Sequence, residues 1–298
     1  MRVVTLLPAA TEIVAAVGGG GSLVGISHEC DHPPALMALP RVTTTPVDPD
    51  APSATIDAEV RRLHAEGRPV IALDAGTLRR LAPDLVITQG LCEVCAVADG
   101  EVHRLESVLR PAPRILSLGA GTLGGVLEDI RRVGRSMDRE RQAEELIAAL
   151  LARLDRLREH RPARATRVLC VEWLDPLYLA GHWVPELVEA AGGTDVGAAP
   201  GSHSSRRAWL DLPALRPDLI VVMLCGFGVA RAERELALVD DPAARRVLAG
   251  RPVWVLDGNA YTSRPGPRVV DGAERLQAML QGQAGSGLAR WRCPWTGD

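Results

Sequence analysis

Cysteine is scarce: six in 298 residues are too few and too scattered to staple a small secreted scaffold, and in a reducing compartment they are expected as thiols. Charge of one sign is missing too. The formal net charge is −3 and the Arg-rich stretches are broken by Asp and Glu, so no field suited to a phosphate backbone arises and nucleic-acid binding is not expected. No apolar run approaches the ~20 residues that cross a bilayer, so no membrane insertion is expected. The start, Met1-Arg2-Val3-Val4-Thr5-Leu6-Leu7-Pro8, has almost no basic region and too short an apolar one for a signal peptide, which places the expected product in the cytoplasm. Catalytic signatures are absent: there is no Gly-x-Ser-x-Gly elbow, no Walker phosphate loop and no His-Glu-x-x-His. Gly18-Gly19-Gly20-Gly21 follows a helical pattern instead of opening one after a strand, so it is read as a turn and not as a dinucleotide cradle. Aromatics are few and skewed, with one Phe and two Tyr against six Trp; a large ring carrying an N–H suits either a core or a broad organic ligand.

What is present is a repeat, in a chain whose 47% hydrophobic content supplies two cores. Arg2-Val3-Val4-Thr5-Leu6 is matched by Arg167-Val168-Leu169-Cys170-Val171. Leu81-Ala82-Pro83-Asp84-Leu85-Val86-Ile87 is matched by Leu215-Arg216-Pro217-Asp218-Leu219-Ile220-Val221-Val222. Strands expected at 2–6, 23–26, 85–88 and 115–118, then at 167–171, 219–224 and 253–256, alternate with helical segments, the pattern of two α/β lobes with central parallel sheets and a ligand cleft between them. Between the lobes Val126, Ile130, Val133, Met137, Leu146, Ile147, Leu150, Leu151, Leu154 and Leu157 recur at three and four residues, as in one long helix or two abutting ones. The expected division is an N-terminal lobe 1–122, a linking helix 123–162, a C-terminal lobe 163–282 and a Gly- and Ser-rich tail 283–298 outside the lobe.

Unusual residues collect after the expected strands, at 27–30, 89–95, 172–175, 225–227 and 259–264. In open α/β sheets the carboxyl ends of the strands form the binding edge. Trp173, Trp183, Trp209, Phe227 and Tyr261 offer flat apolar faces, and His28, Glu29, Gln89, Glu172, His182, Asn259 and Arg264 offer polar groups for a rim. Core packing is the competing role of each aromatic; the polar loop setting favours a ligand role for Trp173 and Tyr261.

Cys92-x-x-Cys95 has the spacing of half a tetrahedral zinc site, which His28 and Cys30 complete if the two loops meet. A redox pair and plain thiols are the alternatives, and Glu93 between the cysteines works against a low thiol pKa. Non-catalytic binding is the main reading; an enzyme or metal-binding protein using His28, Cys30, Cys92 and Cys95 is the alternative.

Val4-Thr5-Leu6-Leu7-Pro8-Ala9-Ala10-Thr11-Glu12, followed by Leu23-Val24-Gly25-Ile26-Ser27, resembles the opening of the periplasmic vitamin B12-binding proteins and their iron-siderophore relatives. The resemblance runs over roughly 2–280 through Asp31-His32-Pro33-Pro34, Pro83-Asp84-Leu85-Val86-Ile87, Glu189-Ala190-Ala191-Gly192-Gly193, Pro217-Asp218-Leu219-Ile220 and Gly266-Pro267-Arg268-Val269-Val270. It implies the class III substrate-binding type: two Rossmann-like lobes joined by a long backbone helix, closing slightly on a corrinoid or other metal chelate, usually for delivery to an ABC importer. Ser27-His28-Glu29-Cys30, Cys92-Glu93-Val94-Cys95 and His182-Trp183-Val184-Pro185 look like a cytoplasmic, leaderless branch of that family labelled cobalamin-binding. The ligand implied is cobalamin or another corrinoid, with His28 or His182 as axial imidazole and Arg264 as a fork for phosphate or carboxylate. Lack of an export signal argues against a transporter partner, and Leu- and Ala-rich helix faces leave the oligomeric state open.

Overall fold

The computed structural model describes residues 1–90, 109–160 and 165–295. It has two compact units, the first comprising Met1–Ala51, Thr55–Ala120 and Gly124–Ala149, the second Pro52–Ala54, Gly121–Leu123 and Leu150–Asp298.

The described elements lying wholly or mainly in the first unit are β1 (Val3–Thr5), α1 (Pro8–Ala16), β2 (Leu23–Gly25), β3 (Thr43–Thr44), α2 (Ser53–Ala65), β4 (Ala72–Leu73), α3 (Ala75–Leu81), β5 (Leu85–Gln89), β6 (Arg114–Leu118) and α4 (Leu123–Ser136). The sheet order is β2-β1-β5-β6, parallel throughout. Val3, Val4, Val86 and Ile87 are fully buried, which is why the sequence shows unbroken apolar runs instead of alternation. Pro8 opens α1, where its missing N–H costs nothing.

The helical stretch after β6 is two helices, α4 and α5 (Glu140–Glu159). The ladder breaks at Asp138, whose φ of +55° is left-handed, while the hydrophobic period resumes beyond it. The 20 residues of α5 carry the chain from the first unit into the second, a rise of about 30 Å.

The second unit contains β7 (Thr166–Leu174), β8 (Leu177–Leu179), α6 (Val184–Ala190), β9 (Gly193–Asp195), β10 (Ser205–Arg206), β11 (Leu219–Val222), α7 (Val229–Leu238), α8 (Pro242–Ala249), β12 (Val253–Leu256), α9 (Gly258–Tyr261), α10 (Val269–Leu280) and β13 (Leu288–Trp291). Strands β9, β7, β11 and β12 are parallel. Hairpin strands β8 and β10 extend one side and β13 the other, all antiparallel.

Two expectations are corrected here. Strand β7 does not stop at Val171 but continues through Glu172 and Trp173 to Leu174, because β8 pairs with it there, with Trp173 in register with Tyr178 and Leu174 with Leu177. The tail is not outside the lobe: Leu288–Trp291 pairs with Val253–Leu256, and Leu288 is buried. Gly- and Ser-rich composition hid a strand only four residues long.

The repeated motif has a repeated function in folding. Asp84 Oδ2 accepts the Arg2 backbone N–H at 2.7 Å and Asp84 N–H donates back to Arg2 O at 2.8 Å. Asp218 does the same for Arg167, at 2.9 and 2.8 Å. Each Arg then reaches the preceding turn, Arg2 Nε donating to Leu81 O at 2.7 Å and Arg167 Nε to Arg216 O at 2.8 Å. The chain has no lysine, so all 34 of its cations are guanidiniums able to fork in this way.

Candidate functional site

In the second unit β11 and β12 end close together against β7, with Val222 opposite both Val171 and Val255, and β7 continues three residues further to Leu174. The chain leaving β11 turns at Gly226, whose φ is +76°. Cys225 N–H donates to Glu172 O at 3.1 Å, and Phe227 O accepts from Gly258 and Asn259 N–H at 3.0 and 3.2 Å. A Cβ on Gly258 would stand 2.2 Å from Leu224 O, so only glycine lets the β12 exit lie this close to the β11 exit. Glu172, Trp173, Cys225, Phe227 and Asn259 are thereby drawn to one sheet edge.

Trp173 and Phe227 form a tilted pair with ring centroids 5.4 Å apart. Trp173 is half-buried and its Nε1 donates to Asp175 O at 3.1 Å. Arg264 is only 8% exposed, and its Nη2 donates to Asn259 Oδ1 at 2.7 Å, so it is an inward guanidinium and not a surface ion pair. Trp183, buried, donates from Nε1 to Thr262 O at 2.9 Å and ties the start of α6 to the residues after α9.

His182 precedes Trp183 in a left-handed conformation, φ +55°. Its N–H donates to Ser202 O at 2.6 Å, its carbonyl accepts from Gly201 N–H at 2.9 Å, and its ring meets that of His203 edge-on at 5.3 Å. Its Nδ1 is buried without a hydrogen-bond partner. Burial first, then the His203 charge, holds its pKa below the ordinary histidine value.

Two aromatics go elsewhere. Tyr261 lies under the Arg275 guanidinium, 3.7 Å from its centroid, and against Gly287. Trp209 is buried and lines a groove of about 460 Å³ with Leu174, Pro176, Leu177 and Leu238, a groove that includes neither Phe227, Asn259 nor Arg264.

In the first unit the β2 exit carries His28, Glu29 and Cys30. Thr43 Oγ1 accepts the His28 N–H at 2.9 Å and lies 2.7 Å from His28 Nδ1. Burial first, and the Arg41 charge second, lower the His28 pKa. Glu29 is exposed. Cys30 is buried with Sγ 3.1 Å from Thr11 Oγ1, itself 2.6 Å from Thr5 Oγ1. Gln89 is buried at the end of β5, its backbone in register with Leu118.

Cys92 and Cys95 lie outside the described residues. His28 and Cys30 turn to different hydroxyls, Thr43 and Thr11, and among the described residues no three or more His, Cys, Asp or Glu gather as metal ligands. Among the described residues nothing supports a metal-binding reading, and the set His28, Cys30, Cys92 and Cys95 lies half outside them. His203 and Arg231 were not picked out from sequence. For Arg231 the signal was there, since Arg231 and Glu235 are spaced i, i+4 on a helix that begins just after Phe227.

Two α/β units, each with candidate side chains at or just beyond the carboxyl ends of its own parallel strands, are connected by a long helix. The family model for periplasmic binding proteins matches residues 3–252, and the chain belongs to that family, whose members bind without catalysis. No curated protein matches the chain. Among solved structures it is similar to the periplasmic vitamin B12 binding protein BtuF of Vibrio cholerae, at 20% identity, with 94% of this chain and 96% of that one covered and a TM-score of 0.66. It is similar to a periplasmic heme binding protein from Pseudomonas aeruginosa, at 20% identity, 98% of both chains and a TM-score of 0.66. It is also similar to the periplasmic heme-binding protein RhuT from Roseiflexus sp. RS-1, at 23% identity, 93% and 95% coverage and a TM-score of 0.64. These likenesses are of fold. The expected cytoplasmic location and leaderless branch are corrected by the match, because the family and these neighbours are periplasmic. Among the described residues no helix is long and apolar enough to cross a membrane.

Proposed function

We propose that this chain binds, without turning it over, a broad metal chelate of the corrinoid or tetrapyrrole kind. The observation that carries the reading is the tilted Trp173–Phe227 pair beside the inward Arg264–Asn259 pair at one sheet edge. A macrocycle has wide apolar faces that aromatic rings cover, and a periphery of carboxylates or amides that a guanidinium and a carboxamide recognise. His182 supplies an axial imidazole in this reading: its depressed pKa keeps the ring neutral, the form that coordinates a metal. Solved neighbours of this fold are named for binding heme and vitamin B12, in accord with a ligand of this class.

The test is a titration of the purified protein with haemin and, separately, aquacobalamin, followed by absorbance. A saturable change at one equivalent for either chelate is expected, weakened by roughly ten-fold or more in Trp173→Ala and in Arg264→Ala. No saturable change with either chelate overturns the proposal.

A further inference from the structure

Arg231 lies one helical turn after Phe227, with its guanidinium carbon 4.8 Å from the centroid of that ring, the only phenylalanine in the chain. The guanidinium is held by Glu235 Oε1 at 3.0 Å, and the two side chains are 16% and 6% exposed. The other carboxylate oxygen, Oε2, accepts the backbone N–H of Ser53 at 3.0 Å, in the short piece Pro52–Ala54 that belongs to the second unit. A backbone group therefore orients the carboxylate, the carboxylate orients the guanidinium, and the guanidinium packs on Phe227, which meets Trp173 at 5.4 Å.

An ion pair this buried is a poor device for stability alone, since desolvating both charges cancels much of their attraction and apolar residues of the same volume hold such a place as well or better. What it supplies is direction. The contact of Arg231 Nη2 with Glu235 Oε1 at 3.0 Å holds the cation in position against the ring, and so restrains the ring's tilt.

We infer that Arg231, oriented by Glu235, is a positioning residue that sets the geometry of the Trp173–Phe227 platform and so the affinity for a flat ligand. This rests on the binding reading above only for the ligand's identity. Arg231 need not touch the ligand, and its action passes through Phe227.

The experiment uses the full chain and variants Arg231→Met, Arg231→Lys and Glu235→Gln. The first readout needs no ligand: the Trp173 share of the near-ultraviolet circular dichroism, taken as wild type minus Trp173→Phe, with the same subtraction made in each variant background. That share is expected to fall by more than half in Arg231→Met and Glu235→Gln and to recover in Arg231→Lys, which restores the cation. The second readout is haemin affinity, expected to weaken about ten-fold in Arg231→Met and Glu235→Gln and less than three-fold in Arg231→Lys. A purely structural role would lower the melting temperature while leaving the Trp173 signal of the folded protein as it was. That result overturns the inference, as does unchanged haemin affinity in variants whose Trp173 signal has moved. If Arg231→Met does not fold, Arg231→Lys and Glu235→Gln decide alone. If wild type binds no haemin, the chelate reading fails on that probe, and the ligand-free signal still decides whether Arg231 sets the platform.

Discussion

The indole N–H of Trp183 donates to the carbonyl oxygen of Thr262 at 2.9 Å, across 79 residues of sequence, and both residues are buried. That bond joins the entry of α6 to the segment carrying Arg264. Trp183→Phe keeps an aromatic ring but removes the pyrrole half of the indole and leaves the Thr262 carbonyl without its buried donor, so a loss of at least about 1–3 kcal/mol is expected, read from the urea midpoint at constant slope. An unchanged midpoint would mean that water replaces the indole at no cost.

Asp84 and Asp218 perform the same clasp in their respective units. Asp84→Ala and Asp218→Ala should each cost about 1–2 kcal/mol by removing the acceptor of one backbone N–H at the start of a central strand. Denaturation followed in both variants checks this; a large cost in one and none in the other would show that the sequence repeat is not an energetic repeat.

Asp195 is pushed up to about 6 by burial, against backbone N–H donors from Gly197 and Ala198 that pull the other way. Its neighbour Cys170 is raised as well, by burial first and then by the Asp195 charge. A folded carboxyl titrating above its unfolded value of 3.8 holds its proton longer in the native state, so stability falls as pH rises from about 4 to about 6 and is level above. The charged form costs on the order of 3 kcal/mol. Asp195→Asn keeps an acceptor for the Gly197 N–H, and its stability advantage over wild type should grow between pH 4 and 6 in parallel denaturant titrations. A constant difference across that range would refute the assignment.

His28 and His182 act with the opposite sign. Both are held below the ordinary histidine pKa, chiefly by burial, so the unfolded chain takes up protons first as pH falls. Their contribution is intact above pH 6.5 and is lost as pH drops through 6.5 toward the folded values. Replacing both with Asn should flatten the stability profile between pH 7 and 5, as measured by melting temperature; an unaltered slope would place the acid sensitivity elsewhere.

The α/β alternation was legible because central parallel strands such as Val3–Thr5 and Leu219–Val222 are buried on both faces and leave solid apolar runs. The β7 hairpin and β13 were not, since each depends on a partner distant from it or on a pairing of two or three residues that local composition does not announce. At the proposed site, Phe227, Asn259 and Arg264 stand out in the sequence because they follow strands, whereas Trp173 lies within β7. Tyr261 follows one too, yet it stacks under Arg275, a tertiary contact that position after a strand does not encode. His28 and Cys30 look like metal ligands on paper, and their side chains bond different threonines, Thr43 and Thr11.

The most direct measurement is absorbance and native mass spectrometry of the protein mixed with one equivalent of haemin or aquacobalamin. A complex of one chelate per chain, with a shifted absorption band that is lost in the Trp173→Ala, Phe227→Ala double variant, is the expected result. A protein that stays unliganded with both chelates, or whose complex survives that double variant unchanged, would contradict the assignment of this sheet edge as the binding site.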